Sequence, residues 1–99
     1  MRTTHILKTW PTYWNQVETG EKTFEVRKND RNFQIGDTVE LRRFDPEADD
    51  AEDFAANPQD YPVLRFDIGS MIIGPQFGIE DGWAVLSLVA HNPEQTDGE

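Results

Sequence analysis

The chain has 99 residues, a length that fits one small domain with a core of limited size. It contains no cysteine, which excludes disulfide bonds, thiolate catalysis and zinc sites built on sulfur. No apolar run reaches the length of a signal peptide or the ~20 residues of a membrane-spanning helix. We therefore expect an intracellular, cytoplasmic protein without a membrane partner.

The net charge of −10 is unevenly distributed. Residues 1–44 contain eight Lys/Arg and six Asp/Glu, whereas residues 45–99 contain one Arg and thirteen Asp/Glu. Phosphate contacts supply most of the affinity in non-specific nucleic-acid binding, so an acidic chain is not expected to bind in that way. A basic cleft in the first half is still compatible with this composition, because the field depends on how charges are distributed.

The beginning of the chain predicts a strand over residues 4–8 and then a helix over residues 11–19. Trp10 and Trp14 recur at helical spacing, which predicts an apolar stripe. Gly20 follows as the residue that ends the helix, where a left-handed conformation is common. We predict that Trp14 packs in the core, whereas Trp10, at the strand–helix junction, is as consistent with base stacking as with packing.

The eight residues after this helix, GEKTFEVR, predict the start of the second strand. Alternation places Phe24 and Val26 on one face, which we predict enters the core, and Glu25 and Arg27 on the other. Lys22 stands at the start of the strand, so opposite charges lie within reach of one another. This polar face can fix the ends of a polar ligand. The alternative is a solvated face with weak ion pairs.

A polar turn over residues 28–32 follows this strand. Lys28 and Arg31 add positive charge beside Arg27, and three cations near one loop are typical of a phosphate site. Solvated loop charges are an equally good interpretation. The pattern then predicts a strand over residues 38–44.

Residues 45–60 contain seven acidic residues and no basic one, and we interpret residues 45–62 as an insertion between two strands. A short helix over residues 47–56 and a mobile acidic loop both fit this composition. Phe54 is the side chain expected to attach the segment to the body of the domain.

The remainder predicts a long strand over residues 63–73 with a bulge near Gly69, a hairpin turn and a last strand over residues 83–89. Residues 91–99 are polar and predict a flexible acidic tail. Together the patterns predict an α+β fold with mostly antiparallel strands. We expect a small mixed β-barrel of about five to six strands, with one helix after the first strand.

The order Gly-x-Lys-x-x-Glu-x-Arg is found at Gly20, Lys22, Glu25 and Arg27. It resembles the signature of ASCH domains, which belong to the PUA-like group of β-barrels. The resemblance implies a PUA-like barrel with a cleft beside the helix.

Three further stretches extend the resemblance. Residues 33–41 look like the second strand of that family, and residues 77–79 and 83–88 resemble the closing hairpin of a small, uncharacterised branch from phages and bacteria. This implies a single domain over residues 1–90, acting in the cytoplasm of a bacterial or phage-infected cell.

The first functional hypothesis is a binding module, because the resemblance implies recognition of RNA or a modified nucleotide. Lys22 and Arg27 would then contact phosphate or base, Glu25 would accept hydrogen bonds from a base edge, and Trp10 or Phe77 would stack on the base. The full set of predicted ligand-binding residues is Lys22, Glu25, Arg27, Lys28, Arg31, Trp10 and Phe77.

The second hypothesis is an enzyme, since some ASCH-like proteins are similar to amidohydrolases that act on acylated cytidine with a lysine, a threonine and a glutamate. The candidate catalytic residues are Lys22, Thr23 and Glu25. In that branch the third residue after the lysine is threonine, whereas here it is Glu25, so we expect no rapid hydrolysis.

The third hypothesis is a protein interaction, in which the acidic residues 45–60 occupy a basic nucleic-acid groove on a host protein. We expect no cofactor, and with only His5 and His91 in the chain we expect no histidine metal site. His5 is predicted to be packed or hydrogen-bonded.

Overall fold

The computed structural model describes residues 2–93, which form five strands and two α-helices. One turn of 3₁₀-helix, Pro58–Asp60, follows the second helix. In chain order the elements are β1 Thr4–Thr9, α1 Pro11–Glu18, β2 Phe24–Lys28, β3 Thr38–Arg43, α2 Ala51–Ala56, β4 Val63–Ile73 and β5 Trp83–Ala90.

The strands form one mixed sheet in the order β1-β3-β4-β5-β2, curled into a half-barrel. β1 runs parallel to β3, and the other three neighbouring pairs are antiparallel. The predicted α+β class, the mixed sheet and the helix after the first strand are confirmed. The expected closure into a barrel is incomplete, because β1 and β2 are the two edges and no backbone ladder joins them within residues 2–93.

The core lies between the sheet and α1. Trp14 and Val17 are the buried residues of α1, and the Trp14 indole Nε1 donates a hydrogen bond to the Leu41 carbonyl at 2.9 Å. The prediction that Trp14 packs in the core is therefore confirmed. The residues that form the core cluster are Leu7, Trp14, Val17, Phe33, Val39, Leu41, Ile68, Ala84, Leu86 and Leu88.

Two buried carboxylates tie loops to the sheet. Asp37 accepts a hydrogen bond from His5 Nε2 at 2.8 Å, and His5 is 6% exposed, which confirms its predicted packed role. Asp67 contacts the side chains of Arg2 and His91 at 3.2 and 2.9 Å. Burial acts to raise the pKa of Asp67, but hydrogen bonds from neighbouring groups, that of His91 first, outweigh burial and hold it below its ordinary value.

The predicted tail begins with residues that the sheet holds. Both His91 and the backbone N–H of Asn92 bond to Asp67, so residues 91–92 continue the fold past β5. The rest of the predicted flexible tail, residues 94–99, lies outside the described residues.

The acidic insertion contains α2, within the range predicted for a short helix. The side chain of Asp50 caps α2 by accepting a hydrogen bond from Glu52 N, and Phe54 is buried. The Phe54 ring lies 5.5 Å from that of Phe44 and 4.9 Å from that of Tyr61. The segment is thus docked on the body of the domain through an aromatic cluster, as expected for Phe54.

The long strand β4 changes register between Ile68 and Met71, which confirms the bulge predicted near Gly69. Within residues 2–93, no helix is long and apolar enough to cross a membrane.

Candidate functional site

An open cleft of about 910 Å³ lies where α1, β1 and β2 meet. Its walls come from the end of β1, the exposed face of α1 and the whole of β2. Six of the seven ligand-binding residues predicted from the sequence line it, namely Trp10, Lys22, Glu25, Arg27, Lys28 and Arg31.

Glu25 stands at the centre of the charged group in this cleft and is only 3% exposed. Its Oε1 accepts a hydrogen bond from Lys22 Nζ at 2.6 Å, and its Oε2 accepts one from Arg27 Nε at 2.9 Å. Two cations therefore bind one carboxylate, and the three side chains together carry one net positive charge. The side chains of Lys22 and Arg27 remain 14% and 24% exposed, so it is these cations that face the cleft.

The prediction that Phe24 and Val26 enter the core is wrong. They are 44% and 50% exposed, whereas Glu25 between them is buried. The pairing register explains this result, because Glu25 lies opposite the buried Leu86 and therefore points to the concave side of the sheet. A carboxylate is tolerated there because both of its oxygens are hydrogen-bonded to cations.

Arginine side chains bridge the two sheet edges that the backbone leaves unpaired. Arg27, on β2, donates through Nη2 to the Lys8 carbonyl at 2.9 Å and to Thr9 Oγ1 at 3.2 Å. Arg31, just beyond β2, donates through Nη1 to the Ile6 carbonyl at 2.6 Å. These contacts hold β1 and β2 in place on either side of the cleft.

Aromatic rings form one side of the cleft. Trp10 and Tyr13 are 56% and 47% exposed, and their rings are stacked with centroids 6.4 Å apart. Lys22 Nζ lies 5.7 Å from the Tyr13 ring and 5.0 Å from the Phe24 ring. An ammonium held near aromatic faces is favourable. Tyr13 and Phe24 are also 47% and 44% exposed, which leaves aromatic surface on which a planar ligand can stack.

Phe77 lies outside the cleft. It is 85% exposed, it lies in the segment between β4 and β5, and it is not among the residues that line the cleft. Of the two aromatic residues predicted for the cleft wall, the structure places Trp10 there and not Phe77.

The structure brings together only two of the three candidate catalytic residues. Lys22 and Glu25 are in contact, but Thr23 is exposed and is not part of the cleft lining. The Thr23 hydroxyl makes no hydrogen bond within the described part of the chain. A threonine nucleophile needs a base within hydrogen-bond reach, and this arrangement supplies none.

Lys8 and Thr9 also contribute to the site, although their role was missed in the sequence. Thr9 is buried, and its hydroxyl accepts a hydrogen bond from Arg27. The available signal was their position directly before Trp10, at the junction of a strand and a helix. Among residues 2–93, no group of three or more His, Asp or Glu side chains is arranged to hold a metal ion.

The comparisons with known proteins give one family and no activity. The sequence profile of the family described as "Domain of unknown function (DUF3850)" matches residues 4–88, which include the whole cleft. The search of curated proteins found no match to the chain.

Proposed function

This chain belongs to the DUF3850 family, whose function is unknown, and we propose from the geometry of its cleft that it binds single-stranded RNA or a modified nucleotide. The observation that carries the proposal is the placement of exposed aromatic rings beside fixed cations in one open cleft. Bases stack on aromatic faces whatever their identity, and cations bind phosphate.

The electrostatics of the cleft support this proposal. The protein carries a net charge of −10, yet the cleft is lined by five Lys/Arg and three Asp/Glu side chains. A local excess of positive charge in an acidic protein favours one anionic ligand at one place. The acidic remainder of the surface repels phosphate groups and so disfavours non-specific binding of nucleic acid.

The signature Gly-x-Lys-x-x-Glu-x-Arg supports assigning the domain to the ASCH group, and the half-barrel is compatible with a PUA-like architecture. On this proposal, Lys22 and Arg27 contact the ligand and Trp10 stacks on a base. We propose a binding role rather than hydrolysis of acylated cytidine, because Thr23 lies outside the cleft.

The test has two parts. Mass spectrometry of the purified protein should detect retained nucleotides or short RNA, and fluorescence anisotropy should detect binding of a labelled single-stranded RNA pool. Stacking contributes about 1–3 kcal/mol per base, so Trp10→Ala should weaken RNA binding by roughly 5- to 150-fold.

Arg43→Ala is the matched control, because Arg43 is an exposed cation on β3 that does not line the cleft. It should leave RNA affinity nearly unchanged, whereas Arg27→Ala should reduce it. The proposal is wrong if the protein binds neither nucleotides nor RNA, or if the two arginine variants lose affinity equally.

A further inference from the structure

The cleft is bounded by two strand edges whose backbone groups have no strand partner. The carbonyls of Thr3, directly before β1, and of Thr9, its last residue, accept hydrogen bonds from Thr38 N and Phe44 N, so the odd-numbered residues of this segment face β3. Thr23 and Asn29, which flank β2, form backbone hydrogen bonds with Leu88 and Gly82, so the odd-numbered residues of β2 face β5. The even-numbered residues of both strands therefore direct their N–H and C=O groups into the gap.

Three of the carbonyls that face this gap are already engaged by cationic side chains. The carbonyls of Ile6, Lys8 and Phe24 accept hydrogen bonds from Arg31, Arg27 and Lys22 at 2.6, 2.9 and 2.7 Å. Both oxygens of the buried Glu25 are bound as well. A ligand that needs an acceptor from this charged group would have to break one of these charge-assisted bonds.

Donors, by contrast, remain available. Arg27 uses Nε and Nη2, and its Nη1 has no hydrogen-bond partner within residues 2–93. Lys22 makes two hydrogen bonds, and an ammonium has three donors. Because the group formed with Glu25 keeps one positive charge, the free donors suit an anion that carries acceptors only.

We propose that Lys22 and Arg27 hold a phosphate group of the ligand, and that Glu25 is a positioning residue that fixes both cations without touching the ligand. This inference rests on the proposed function and names the part of the nucleotide that the charged group recognises. The base then lies against Trp10 and Tyr13, where stacking supplies affinity with little base specificity. This proposal also changes the role of Glu25, because its oxygens were expected from the sequence to accept hydrogen bonds from a base edge.

The experiment compares three sets of probes by titration calorimetry: the four ribonucleosides, their 5′-monophosphates, and dinucleotides joined by one phosphodiester. Each monophosphate should bind at least about 10-fold more tightly than its nucleoside, whichever base it carries. A tenfold gain corresponds to about 1.4 kcal/mol. If the dinucleotides also bind more tightly than the nucleosides, the site recognises an internal phosphate of RNA. If only the monophosphates bind more tightly, the site recognises a terminal phosphate.

The variants separate the phosphate site from the stacking site. Arg27→Ala and Lys22→Ala should each remove most of the phosphate-dependent gain while nucleoside affinity persists, and Arg43→Ala should preserve the gain. If nucleosides and monophosphates bind equally well, the phosphate site is refuted but the proposed function stands. If no probe and no RNA binds, both are refuted.

Glu25→Gln tests the positioning role, because it makes the charged group more positive by one unit. Attraction by charge alone would then tighten phosphate binding, whereas loss of positioning weakens it by several-fold. Tighter binding would overturn the role assigned to Glu25. Circular dichroism checks that the Glu25→Gln variant is folded. Arg27→Lys keeps the positive charge but lacks the guanidinium fork, so it should also lose the affinity that the phosphate group adds.

Discussion

Replacing Glu25 with alanine is expected to destabilise the fold more than replacing its neighbour Phe24. Removing one partner of a buried ion pair costs about 3–5 kcal/mol, because a charge is left without compensation. Lys22 and Arg27 retain 14% and 24% side-chain exposure and can turn towards water. We therefore expect a loss at the lower end of that range, about 3 kcal/mol.

Phe24→Ala should reduce the free energy of unfolding by less than Glu25→Ala does. Phe24 is 44% exposed, and Lys22 Nζ lies 5.0 Å from the centroid of its ring. Such a cation–π contact contributes about 0.5–1 kcal/mol at an exposed site, and the buried part of the ring adds a similar amount. We expect a total loss of about 1–2 kcal/mol.

Thermal unfolding followed by circular dichroism gives the comparison. In a domain of this size 1 kcal/mol shifts Tm by roughly 4–8 °C, so Glu25→Ala should lower Tm by roughly 12–24 °C. Glu40→Ala is the matched control, because Glu40 also binds two cations, Arg42 and Arg65, but its side chain is 15% exposed. The Tm of Glu40→Ala should fall by less than that of Glu25→Ala. A larger Tm loss for Phe24→Ala than for Glu25→Ala would refute the reasoning.

Three further predictions concern regions outside the cleft. Folding lowers the pKa of Asp67 below its ordinary value of 3.8. The ionised carboxylate therefore stabilises the fold above pH 3.8, and this stabilisation is lost as the pH falls through the lowered pKa of the folded state. Urea unfolding of Asp67→Asn should therefore show lower stability at neutral pH and a shallower acid dependence; an unchanged dependence would contradict this. The hydrogen bond from the Tyr61 hydroxyl to Asp53 is the largest cause that raises the pKa of Tyr61 to about 12. The stability that the protonated phenol contributes is therefore present below pH 10 and is lost as the pH rises through about 12. Asp53→Asn should return the tyrosinate absorbance titration towards 10, and an unmoved midpoint would exclude the assignment. Phe54→Ala should release α2, so that its amides exchange faster with solvent while the strands stay protected; equal protection of α2 in both proteins would show that Phe54 does not anchor it.

Local patterns in the sequence were sufficient to predict the early part of the fold. Gly20, the predicted end of α1, adopts φ +84° two residues after the helix, and Trp14 is buried on the face that its spacing indicates. The bulge near Gly69 was also identified, because glycine interrupts an otherwise apolar strand. Each of these features depends on residues close together in the chain.

The orientation of β2 could not be predicted in this way. Alternation separates Phe24 from Glu25 but does not say which face is buried, and hydrophobicity favours the wrong one. Burial of Glu25 depends on Lys22, on Arg27 and on the concave curvature of the sheet. Those conditions involve the whole strand order, which a local pattern does not contain.

The incomplete barrel and the role of β1 escaped prediction for a related reason. Lys8 and Thr9 contact Arg27 across 19 and 18 positions in the chain. Their carbonyl and hydroxyl become part of the site because β1 and β2 are opposite edges of the sheet. The resemblance to ASCH domains identified the signature residues but gave no information about these partners.

The central claim, a nucleotide site in the cleft beside Trp10, is tested most directly by NMR during titration with ribonucleoside 5′-monophosphates. The three tryptophans give separate indole N–H signals, and Trp14 is an internal control because its Nε1–H is bonded to the Leu41 carbonyl. The Trp10 signal should shift progressively with ligand while the Trp14 signal stays in place. A protein that binds the nucleotides with no shift at Trp10, or with shifts confined to the turn around Phe77, would contradict the claim.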